Sequence, residues 1–94
     1  MAPETMPRAE ITWKRRSPEG ENVQVKARHF GEQWTFFVRG ARHEQWQPLE
    51  QPPLEDWVTL LDGVRRRLGR GFLRREELTK LERTLRERFP DAEL

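Results

Sequence analysis

With 94 residues, 34% of them hydrophobic and 36% charged, the chain has material for one modest core and a narrow margin of stability. The absence of cysteine excludes a disulfide framework and a thiolate metal site, and no stretch approaches the roughly 18 apolar residues of a membrane span. The 18 basic and 16 acidic residues nearly balance. A net charge of +2 is therefore a weak argument for a nucleic-acid partner, and the distribution of charge has to decide.

Residues 1–9 carry Pro3 and Pro7 and no apolar run, which reads as a loose tail rather than an export signal. Cytoplasm is the expected location. Residues 10–16 alternate Ile11 and Trp13 with Thr12 and Lys14, a strand pattern. Ser17-Pro18-Glu19-Gly20-Glu21 follows as a turn, with Pro18 fixing φ and Gly20 free to take φ > 0. Closing that turn sets Arg16 opposite Asn22 and Trp13 beside Val25.

Residues 22–40 hold two further alternating runs about Gly31-Glu32, and glycine at the first central position suits a type II′ hairpin. Folded there, Val25 faces Val38, Ala27 faces Phe36 and His29 faces Trp34, while Gln24 meets Arg39, Lys26 meets Phe37 and Arg28 meets Thr35. One register sorts apolar and polar residues onto separate faces, and a slip by one residue would mix them. A fourth strand is expected through Gly40-Ala41-Arg42, with Trp46 opposite Phe36 on the apolar face.

Three prolines between Pro48 and Pro53 make a stiff connector. Pro53 then suits a helix start, followed by Glu55 and Asp56 on the exposed side where the macrodipole favours them. Leu54, Trp57, Val58, Leu61, Val64 and Leu68 recur at helical spacing, giving a helix over about 54–68, with Gly63 on its outer side. After Gly69-Arg70-Gly71, a second helix over about 73–89 carries a narrow Leu78-Leu81-Leu85-Phe89 stripe and stops at Pro90. Residues 91–94 are a short tail. The expected fold is α+β: a four-stranded antiparallel meander followed by two C-terminal helices packed on one sheet face, all within a single domain over 10–90.

Chemistry is scarce. There is one serine, no tyrosine, and only His29 and His43 as imidazoles, which the strand pairing sets too far apart to share an ion with Glu44. No Gly-rich phosphate loop is present. The chain is therefore expected to be no enzyme and to take no cofactor, metal or small-molecule substrate. Two basic groupings remain. On the outer sheet face the register gathers Lys14, Arg16, Lys26, Arg28 and Arg39, five cations with Phe37 among them and no acid. Around the interhelical turn stand six arginines in eleven residues, with Arg65, Arg70, Arg74 and Arg75 as the second candidate surface. Arg65 to Arg67 have an ordinary explanation at a helix C-terminus, where cations are favoured. The expected function is a small protein-interaction or self-associating module, using the second helix's stripe or the Phe37 face. The alternative is weak, sequence-tolerant nucleic-acid binding through the basic outer sheet face.

Overall fold

The computed structural model describes residues 9–30, 33–40, 44–68 and 75–92. They form β1 (Ala9–Arg16), β2 (Asn22–Phe30), β3 (Gln33–Arg39), β4 (Gln47–Pro48), α1 (Leu54–Leu68) and α2 (Arg75–Arg88). The arrangement is α+β, a four-stranded antiparallel sheet in order β1-β2-β3-β4 followed by two helices. The chain divides into two compact units, Met1–Gln51 and Pro52–Leu94, so the boundary falls inside the proline-rich connector.

In the first unit the turn chemistry and the period-two pattern act together. Ser17 N–H donates to the Glu21 carbonyl at 2.7 Å, Gly20 N–H to the Ser17 carbonyl at 2.8 Å, and Glu21 N–H to Ser17 Oγ at 3.1 Å. Gly20 takes φ +88°, a conformation that a side chain would strain. This closure sets Arg16 against Asn22, Trp13 against Val25 and Ile11 against Ala27. On the other side of β2, Val25 pairs with Val38, Ala27 with Phe36 and His29 with Trp34. Both ladders have the register that the alternation predicts. The Gly31-Glu32 turn itself lies outside the described residues.

Side chains at the centre of the apolar face are buried. Val25 and Ala27 are fully buried, His29 retains 1% exposure and Phe36 3%. Trp13 meets Phe36 edge-on, centroids 6.3 Å apart, and His29 stacks at a tilt against Trp34 at 4.8 Å.

β4 departs from expectation. Phe37 pairs with Pro48 and Val38 with Gln47, and Leu49 N–H donates to the Phe36 carbonyl at 2.9 Å. The expected pairing of Trp46 with Phe36 is thus wrong by three residues. An odd shift moves every side chain to the other face, so Trp46 leaves the apolar side.

In the second unit, α1 has the expected bounds. The Pro53 carbonyl accepts from Asp56 and Trp57 N–H at its start, and Arg65, Arg66 and Arg67 occupy its last turn. Trp57, Leu60, Leu61 and Val64 are buried along it. Two expectations need correction. Asp56 is fully buried rather than exposed, and Gly63 is buried rather than outward, so the covered stripe is centred closer to Leu60 and Val64 than the Trp57-Leu61-Leu68 spacing implies. Leu68 and Val58 lie at its margins, half-buried and exposed. Along α2, Leu81 and Leu85 are buried, Leu78 and Phe89 half-buried. The Arg65 guanidinium of α1 reaches the Glu82 carboxylate of α2 at 3.2 Å.

Candidate nucleic-acid interface

The polar face of the sheet is organised in rungs. Lys14, Gln24 and Arg39 form one across β1, β2 and β3, and Thr12, Lys26 and Phe37 the next. Glu10, Arg28 and Thr35 form the third. Of the predicted surface, Lys14, Arg16, Lys26, Arg28, Phe37 and Arg39 all stand on this one face. The face is not free of acid, as the sequence count implied. Glu10, one rung beyond Thr12, belongs to it as well.

Two aromatic residues join Phe37 there. The β3–β4 register places Trp46 level with Arg39, and its ring lies under two cations, Lys26 Nζ and the Arg39 guanidinium, each 4.4 Å from the centroid. Phe30, paired with Gln33 at the far end of β2, is 55% exposed. Phe37 itself lies beneath Lys26 Nζ at 5.4 Å and Arg28 at 5.5 Å. Cations over ring faces are worth about 0.5–2 kcal/mol each, more as water is excluded.

Charges on this face are tightly interlinked. The Glu10 carboxylate accepts from Arg28 Nε and from its terminal nitrogen, both at 3.2 Å, and stands 3.9 Å from Lys26 Nζ. Arg39 Nε donates to Gln24 Oε1 at 2.7 Å. Burial holds the Lys26 ammonium below its ordinary pKa of 10.5, since only 12% of its side chain is exposed; Glu10 pulls the other way, and Arg28 and Arg39 add to the depression. Along β1 to β3 the face carries five cations against one carboxylate, a surplus of positive charge held close to aromatic rings.

Of the second candidate surface only Arg65 and Arg75 are described. Arg65 is engaged by Glu82 and Arg75 is exposed in the first turn of α2, while Arg70 and Arg74 lie outside the described residues. Arg66 pairs with Asp62 at 2.8 Å, as the i,i+4 spacing predicts. Of the imidazoles, His29 is buried on the apolar face, and His43 lies outside the described residues. Among the described residues no group of three His, Asp or Glu side chains could hold a metal ion, and no helix is long and apolar enough to cross a membrane.

Phe30 and Trp46 were missed by sequence reasoning for different reasons. Phe30 shares the parity of Lys26 and Arg28, so the alternation itself places it on this face. Trp46 follows a connection whose length no turn motif sets. Comparison with protein-family models, curated proteins and solved structures gives no match to this chain.

Proposed function

We propose that this protein is a small, non-enzymatic module that binds single-stranded nucleic acid through the cationic face of its sheet, weakly and with little sequence preference. The observation that carries the proposal is Trp46 on that face, its ring beneath Lys26 and Arg39. With Phe30 and Phe37 it brings the aromatic complement to three, the number with which sheet platforms stack successive bases while nearby cations meet the backbone. The protein-interaction reading has less support. It rests on the α2 stripe or the Phe37 face, and on the stripe Leu81 and Leu85 retain only 2% and 0% exposure within the chain itself. That stripe offers a partner little apolar surface.

The affinity is expected to be modest, because Arg28 already meets Glu10 and because each neutralised phosphate adds only about 0.7 to the salt slope on single strands. The test is a salt titration with mixed-sequence RNA and single-stranded DNA on wild type, Phe30→Ala and Trp46→Ala. Each truncation is expected to weaken binding by about 1–3 kcal/mol with the salt slope nearly unchanged, since a stacked base carries no counterion. A wild type that binds neither strand at low salt, or binding indifferent to both truncations, would overturn the proposal.

A further inference from the structure

A groove of about 580 Å³ opens at the Lys14–Arg16 end of β1, lined chiefly by Lys14, Arg15, Arg16, Asn22 and Gln24. None of the described residues that line it is acidic. Three consecutive cations converge there although alternation should send the middle one away. Arg15 is kept at the site by its guanidinium, which donates to the Arg16 carbonyl at 3.1 Å. Lys14 and Arg16 are exposed, and neither spends its charge on a carboxylate among the described ion pairs.

We propose that this groove holds the phosphodiester backbone of the same single strand whose bases stack on the rings, an inference that rests on the nucleic-acid reading above. The link between the two is a single rung. Trp46 lies against Arg39, Arg39 donates to Gln24 Oε1, and Gln24 both lines the groove and pairs with Lys14. Neighbouring strands are about 4.8 Å apart, so Lys14 stands about 10 Å across the sheet from Arg39. A strand laid along this rung passes from ring to guanidinium to groove, and meets a carboxylate at Gly40, a lining residue whose N–H donates to Glu44 Oε1 at 3.1 Å. The bond from Arg39 fixes the Gln24 amide with its oxygen turned toward the guanidinium, which leaves its nitrogen as a donor for a phosphate oxygen. Glu10 marks the opposite limit, two rungs from Lys14, where an approaching phosphate is repelled. On β1 the strand therefore keeps to the Arg16 end, and from Trp46 it runs over β2 and β3 past Phe37 toward Phe30.

The experiment compares wild type with Lys14→Gln/Arg16→Gln, using a length series of oligothymidylate and, separately, inorganic tripolyphosphate. Binding is followed by tryptophan fluorescence and calorimetry. Both positions are exposed, and an unchanged thermal transition checks that the fold survives. The variant is expected to keep the fluorescence change from base stacking while its salt slope falls by about 1.4, two phosphates at about 0.7 each on a single strand. Between 50 and 200 mM salt that makes its affinity about sevenfold less salt-sensitive than that of wild type. If wild type binds oligothymidylate and the double substitution leaves the slope unchanged, the groove is not on the path, although the stacking reading stands. If tripolyphosphate binds and is lost in the variant while no oligonucleotide binds, the nucleic-acid reading falls, and this inference with it. If neither ligand binds wild type, both are overturned.

Discussion

Along β2, Val25, Ala27 and His29 retain 0%, 0% and 1% exposure, while Lys26 and Arg28, one residue away in each case, keep 12% and 38% of their side chains open. The two faces share a backbone and divide the labour. One side removes apolar surface from water at about 25 cal/mol per Å², which is where a domain of this size must find its stability. The other side sets cations on rings and against one carboxylate, contacts worth about 1 kcal/mol or less where water reaches them. The lesson is that the cationic face can be altered at small cost to the fold, and the apolar face cannot.

The largest effect should come from the covered side. Phe36→Ala is expected to cost about 3–5 kcal/mol in denaturant unfolding, whereas Phe37→Ala, its neighbour on the opposite face, should cost well under half as much. Equal losses would break the comparison. In nucleic-acid titrations the order should invert, with Phe37→Ala weakening single-strand binding by about 1–3 kcal/mol. Glu10→Gln is a gentler probe. It removes the carboxylate that meets Arg28 and Lys26, so stability should fall by about 1 kcal/mol or less while affinity for single strands rises several-fold. An affinity that drops instead would mean that Glu10 orders the cations for the ligand rather than competing with it.

The smallest effect is in pH. The groups that face Lys26 are Glu10 from β1, Arg28 from β2, Arg39 and the Phe37 ring from β3 and the Trp46 ring before β4. Because its folded-state pKa is lowered, the unfolded chain binds more protons in the interval between that value and 10.5, and stability rises with pH across it. Below the interval the penalty for burying the charged amine is fully present. A phosphate beside Lys26 favours the ammonium, so affinity should run the other way and fall as pH rises through the same interval. Titrations of wild type and Lys26→Met at several alkaline pH values check this: the variant should lose the dependence, and a dependence that persists would assign it elsewhere.

Much of this division was legible in the sequence, and the part that was not has a physical reason. The β1–β2 and β2–β3 registers follow from strict alternation closed by short turns, which leave one pairing that separates Val25 and Ala27 from Lys26 and Arg28. The helix α1 is announced by Pro53, by acids in its first turn and by arginines in its last. β4 gives no such signal. It contributes two residues, too few to fix a register by pattern, and Gln45-Trp46-Gln47 reads equally well with the ring on either face. The three-residue shift there moves Trp46 to the cationic face. Likewise the macrodipole argument puts Asp56 outward and the apolar spacing puts Gly63 on the outer side, whereas both are buried on the covered side of the helix.

The brevity of β4 has a thermodynamic consequence. Trp46 precedes a ladder of only two residues, one of them Pro48, which brings no N–H, whereas β1, β2 and β3 are joined along seven or more positions. Opening β4 therefore breaks few bonds and exposes little of the buried apolar face, and sub-global openings of that kind lie well below the free energy of complete unfolding. β4 is therefore expected to open, carrying the ring off Lys26 and Arg39, while the other three strands stay paired. A ligand that stacks on Trp46 selects the closed arrangement, so the sheet edge would stiffen on binding, with part of the stacking energy spent on holding it shut.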